Sequence, residues 1–216
     1  MVKINRSKTP PLSLQAESMK SNGQYNSADV VLQLRMDFHD KCYICECKPS
    51  DVVVEHRMPH KKGLYHDRKF DWNNLFLACY HCNLIKNKMD YQEEIIDCCV
   101  TDPEDYLRFE LVDNAVCVKV LRDCDKARST SKLIEDVFSN HTTAQLSYGS
   151  TYRMEQLQST MNMLYEYLGR YMQNPNDSFS FRVISRLLDR DSVFAGFTRS
   201  YIRMHINEYK LFADRV

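Results

Sequence analysis

Residues 42–86 read CYICECKPSDVVVEHRMPHKKGLYHDRKFDWNNLFLACYHCNLIK. Two Cys-x-x-Cys pairs bracket this stretch, Cys42 with Cys45 and Cys79 with Cys82. Each pair presents two thiolates from one tight bend, and zinc takes four in a tetrahedron. The spacing therefore predicts one structural Zn²⁺ on four cysteines, with a small fold between the knuckles. Four thiolates close the coordination sphere and leave that ion no open position for catalysis. A redox Cys-x-x-Cys would not need the second pair. Between the knuckles, Val52, Val53 and Val54 follow Pro49 and predict a strand. Residues 57–72, with Pro59 and Gly63, read as a polar loop. Leu75, Phe76 and Leu77 predict a second short strand. From Tyr80 a helix is expected through Ile96, because no Pro or Gly interrupts it.

A second pattern lies inside the first. Glu55-His56 closes the valine strand, Asp71 and Asn74-Leu75 open the next, and Cys82-Asn83 leads to Lys86. Written out, this is E-H-R-x-P, then D-x-x-N-L, then C-x-x-C-N-x-x-K. The order resembles the HNH endonuclease superfamily over about residues 40–90. The resemblance implies a zinc-braced ββα-metal core and phosphodiester hydrolysis. It makes His56 the general base, Asn74 its orienter, and Glu55 and Asn83 the ligands of a catalytic Mg²⁺ or Mn²⁺. Here Glu55 stands where Asp is commoner, and Asn83 where many relatives have His. Histidine's ordinary pKa of roughly 6.5 suits a base near neutral pH. Oxygen donors favour Mg²⁺ or Mn²⁺ over zinc. Strand alternation points Glu55 away from His56 unless a bend re-aims it. Lys86, three residues past Asn83 on one helical face, is expected at the scissile phosphate, as is Arg57.

Other residues carry weaker signals. His60, His66 and His81 read as solvated-loop histidines, Asn73 as a turn residue and Trp72 as a core anchor. Lys61, Lys62, Arg68 and Lys69 form either a solvated face or a set of phosphate contacts. Cys47, Cys98, Cys99, Cys117 and Cys124 show no second site and read as small packing residues.

Composition narrows the classes. Of 216 residues, 44% are hydrophobic and 27% charged, which fits a folded globular chain. No apolar run approaches the roughly 18–20 residues of a membrane span. The first residues lack the apolar centre of a signal peptide. Nine cysteines without an export signal point to metal rather than disulfides. A cytoplasmic location is expected. A net charge of zero argues against indiscriminate binding to polyanions. That total hides a basic stretch over 56–70 (Arg57, Lys61, Lys62, Arg68, Lys69) and an acidic one over 91–113 with eight acids from Glu93 to Asp113.

The expected organisation is α+β, with a mostly α-helical C-terminal part. A basic arm covers 1–27, the HNH core 28–100, a β-hairpin linker 101–120 and a helical region 121–216. Pro10-Pro11 argues against a helix in the arm, which is either a surface strap or a docking segment. Val31, Leu34 and Phe38 predict a helix over 28–40. Asp113-Asn114 between apolar runs predicts a hairpin over 106–120. Met154, Leu157, Met161, Leu164, Leu168 and Tyr171 share one helical face, and Asn174-Pro175-Asn176 ends that helix.

Lys3-Ile4-Asn5-Arg6 with Pro10, the HNH core and the helical tail together are similar to the PtuB family, the HNH nuclease subunits of Septu and retron-associated anti-phage systems. That resemblance implies a PtuA-like ATPase partner and, beside a retron, a reverse transcriptase with its multicopy single-stranded DNA. A nucleic-acid substrate is expected and no membrane. Two other readings stay open: a tRNA-cleaving effector, and a zinc-stapled interaction module without catalysis.

Overall fold

A computed structural model describes residues 1–61, 64–88, 91, 95–139 and 143–216. Strand β1 (Val52–His56) pairs antiparallel with β2 (Leu75–Cys79), with Val52 opposite Cys79 and His56 opposite Leu75. The β-branched run fits the pleat, and β2 is buried along its whole length. Helix α4 (Tyr80–Lys88) starts directly after Cys79, which completes a β-β-α unit. This helix is shorter than the sequence suggested. Tyr91 is outside it, its N–H on the Lys86 carbonyl at 3.3 Å. The rest of the expected extension falls partly outside the described residues.

Two helices precede the unit. Helix α1 (Leu12–Ser18) corrects the expectation for the arm, because Pro11 occupies the N-cap, where its missing N–H costs nothing. Helix α2 (Ala28–Asp37) buries Val30 and Leu34, and Phe38 just after it packs edge-on against Phe76 of β2 at 5.5 Å. The face is thus centred on Val30, one residue before the Val31 expected. The start of the arm is packed against the core. Met1, Val2 and Ile4 are buried, Trp72 donates to the Ser7 carbonyl (2.9 Å), and the Arg6 guanidinium lies 4.2 Å from the Trp72 ring. The polar loop between the strands also holds a short helix, α3 (His66–Phe70), and a 3₁₀ turn at Trp72–Asn74.

Strands β3 (Leu107–Val112) and β4 (Ala115–Val120) form the expected hairpin. Asp113 and Asn114 both take positive φ, 49° and 61°, as a two-residue primed turn requires. The hairpin, expected as a linker, is packed between α5 (Asp125–Phe138) and α8 (Ala195–Met204), with Leu107, Phe109 and Val118 buried. Helix α6 (Ala144–Gln173) buries Leu157, Met161, Leu164 and Leu168, the face read from the sequence. Helix α7 (Ser178–Leu188) is capped by Asp177, whose carboxylate accepts the N–H groups of Phe179 (3.0 Å) and Ser180 (3.1 Å). One hydrophobic cluster runs from Met1 to Phe212 and joins the β-β-α unit to these helices. The described chain is mixed α and β, and none of its helices is long and apolar enough to cross a membrane.

Candidate metal centre and histidine face

Four cysteines converge at one end of the β1–β2 hairpin. The first pair sits on a tight bend after α2, where Glu46 takes the left-handed conformation (φ 63°) and its N–H returns to the Cys42 carbonyl at 2.9 Å. Cys79 ends β2, and Cys82 lies in the first turn of α4. All four are buried, and their sulfur atoms lie within 4.8 Å of one another. A tetrahedral zinc–thiolate site with bonds near 2.3 Å sets its sulfurs about 3.8 Å apart; Cys45 and Cys79 stand at 3.9 Å. The donor set therefore fits a structural metal such as zinc. Burial opposes ionisation of Cys45, but thiol contacts from Cys42, Cys47, Cys79 and Cys82 hold it well below the ordinary thiol range. Arg153 of α6 donates to the Cys79 sulfur at 2.8 Å, as a thiolate there would invite.

At the other end of β1 the histidine face opens. His56 is the last residue of the strand and turns away from Glu55, as alternation requires. Its Nε2 lies 3.1 Å from the Lys69 carbonyl. A carbonyl oxygen only accepts, so Nε2 carries the proton and Nδ1 keeps its lone pair. The Tyr25 ring stands edge-on at 4.4 Å and the His60 ring at 4.6 Å. Burial pushes the His56 pKa below its ordinary value, against the opposing pull of the Lys69 carbonyl. That depression favours the neutral imidazole, the form a general base needs.

The Asn74 side chain makes its hydrogen bonds to backbone on either side of the His56–Lys69 pair. Its Oδ1 accepts from the Met58 N–H (2.7 Å), and its Nδ2 donates to the Met58 carbonyl (2.8 Å) and the Arg68 carbonyl (2.9 Å). One buried amide thus ties the segment following His56 to the segment preceding Lys69. That sets the two ends of the His56–Lys69 hydrogen bond.

Glu55 and Lys86 are elsewhere. Lys86, expected at a phosphate, is 1% exposed and donates to Glu55 Oε1 at 2.6 Å and to the carbonyls of His56 (3.2 Å) and Arg57 (3.0 Å). Tyr43 donates to the other Glu55 oxygen at 2.8 Å. The reason is the same alternation: Glu55 faces α4 and meets the buried side of that helix. Asn83 is half-buried, and its Oδ1 accepts from Asn87 at 3.1 Å. Among the described residues no hydrogen bond joins Asn83 to Glu55 or His56. Lys86 and Tyr43 thus contact the two oxygens of Glu55.

Arg57 is likewise engaged, 3.3 Å from Asp97. Lys69 donates to the Gly23 carbonyl at 2.8 Å, and Arg68 lies over the Tyr65 ring at 4.2 Å. His81, expected in a loop, is buried within α4 with Nε2 on the Val137 carbonyl at 3.0 Å. His66 packs on Phe70, and Trp72 is the core anchor expected. Lys62, Glu93 and Glu94 lie outside the described residues. The residues that sequence reasoning missed are Tyr25, Tyr43 and the nearness of His60. Only contact across the fold assembles them, and no spacing rule links Tyr25 to His56. The chain matches no protein-family model and no curated protein.

Proposed function

We propose that this chain is an HNH-type endonuclease that hydrolyses phosphodiester bonds with His56 as general base. The observation that carries the reading is the His56–Lys69 hydrogen bond. It fixes the tautomer of a half-buried, neutral imidazole at the end of a strand, in a β-β-α unit stapled by four cysteines. Nδ1 can take a proton from a water attacking phosphorus, while Asn74 keeps the ring's support in place. A Mg²⁺ or Mn²⁺ ion held by Glu55 and Asn83 would polarise the phosphate, at a carboxylate that Lys86 and Tyr43 also contact. The likeness of the arm, core and tail to the PtuB family extends the proposal. On that reading the chain is the nuclease effector of an anti-phage system, held and delivered to nucleic acid by a PtuA-like ATPase, with a retron reverse transcriptase and its DNA as further partners.

The test is incubation of the chain, alone and co-expressed with an ATPase partner, with labelled DNA and tRNA pools, with and without Mg²⁺ or Mn²⁺. Cleavage that depends on His56 supports the reading. A His56→Ala rate within tenfold of wild type, about 1.4 kcal/mol in barrier, sinks it. The internal Glu55–Lys86 pair favours a second reading, a metal-stapled interaction module without catalysis. That reading expects no His56-dependent cleavage of any pool under any of these conditions.

A further inference from the structure

Each cysteine knuckle is gripped by a different helix of the C-terminal region. On the second knuckle, Arg153 of α6 is 4% exposed and places Nη2 on the Cys79 sulfur at 2.8 Å and Nη1 on the Gly149 carbonyl at 2.7 Å. Gly149 itself lies against His81, between Cys79 and Cys82; a Cβ there would stand 2.3 Å from the imidazole Nδ1. On the first knuckle, the Glu46 carboxylate accepts the N–H of Gly196 in the first turn of α8 at 2.9 Å. A Cβ on Gly196 would be 2.9 Å from that same carboxylate oxygen. Both helices approach the knuckles as closely as backbone allows, and both do so at glycine.

Charge gives these contacts a direction. Four thiolates around a divalent ion carry a net charge of −2, and burying it without compensation is costly. Arg153 is the cation placed on this cluster, through its contact with Cys79. That contact joins the buried guanidinium of α6 directly to one of the four sulfurs, so loss of the ion changes the partner that Arg153 meets. We propose that Arg153 makes the docking of α6 and the retention of the metal mutually dependent, so that the metal centre fastens the helical region to the β-β-α unit. Linkage requires reciprocity: whatever the bound metal adds to the docking of α6, the docked helix adds to metal affinity. This rests on the four-cysteine site and not on the nuclease reading.

The experiment measures metal release from the full zinc-loaded chain to excess chromophoric chelator, with hydrogen exchange of α6 before and after stripping. Arg153→Met is expected to release zinc at least about tenfold faster, the usual scale for a partner behind a metal ligand, and to raise exchange along α6 while zinc is still bound. Val118→Ala, at a buried position of β4 rather than of α6, is expected to lower the melting temperature and leave the release rate near wild type. Arg153→Lys keeps the charge but not the fork, and is expected to fall between wild type and Arg153→Met. Should Arg153→Met not fold, the Lys variant decides. A release rate equal to wild type in the folded Arg153 variant, or equal acceleration by Val118→Ala, overturns the proposal.

Discussion

Lys69 holds His56 by its carbonyl oxygen, 3.1 Å from Nε2, and holds the amino-terminal arm by its ammonium, 2.8 Å from the Gly23 carbonyl. One residue of α3 thus sets the orientation of the candidate base and anchors the segment that covers it. Gly23 and Phe70 are close enough that a Cβ on the glycine would come 3.2 Å from the ring. The arm therefore lies flat on α3, and Tyr25 follows onto the imidazole. The base, its orienting carbonyl and its cover belong to one packed unit.

His56→Ala should lower cleavage by roughly 10²- to 10⁴-fold, the usual contribution of a general base, while zinc content stays at wild type. The wild-type rate should rise with pH along an acid limb whose midpoint lies below 6.5, because burial depresses the His56 pKa and only the neutral ring accepts a proton. The same depression has a stability consequence of definite sign. The unfolded chain binds more protons, so this contribution is complete above the unfolded pKa and is lost as pH falls through the folded one. A pH–rate profile and urea unfolding at several pH values check both. An acid limb centred above 6.5 contradicts the assignment.

Tyr25→Ala should expose His56 and move its pKa upward toward the ordinary value, since burial is the largest cause of the depression. Titration of the imidazole C–H resonances by NMR reads this without any substrate. The acid limb of cleavage should move in the same direction. An unmoved resonance would show that the ring is not what shields the base.

Much of this was legible in the sequence, for physical reasons that differ by element. The four cysteines were legible because a Cys-x-x-Cys bend is a local geometry, and two such bends imply their partner. The β3–β4 hairpin was legible because Asp113-Asn114 supplies the left-handed turn by itself. Alternation along β1 already placed Glu55 opposite His56. What meets Glu55 there depends on where α4 crosses the sheet, which no local pattern fixes, and so the sequence places Lys86 at a phosphate rather than on Glu55. Helix α1 was hidden for another reason: Pro11 blocks a helix interior but suits a helix start.

Lys86→Met should destabilise the fold by about 3–5 kcal/mol, because it leaves the Glu55 carboxylate buried without its cation. Glu55→Gln combined with Lys86→Met should recover most of that loss, since a neutral amide keeps the Tyr43 contact and removes the uncompensated charge. Urea denaturation of the single and double variants gives the coupling. Additive losses would mean that Glu55 and Lys86 are not a pair in solution.

Asn74→Ala tests whether the candidate base is positioned from a distance. The amide is 1% exposed and makes three hydrogen bonds to backbone. Truncation strands the Met58 N–H and two carbonyls, a cost of about 3 kcal/mol. Because those groups flank His56 on one side and Lys69 on the other, the His56–Lys69 hydrogen bond should loosen, and Nε2 should lose its fixed proton. The expected signature is a fall in kcat with little change in KM, together with exchange between two imidazole tautomers in the ¹⁵N spectrum of His56. Asn74→Asp keeps an acceptor for the Met58 N–H but places a carboxylate against two carbonyls, so it should rescue neither property. A variant that loses stability but keeps one His56 tautomer and the wild-type kcat would make Asn74 a purely structural clamp.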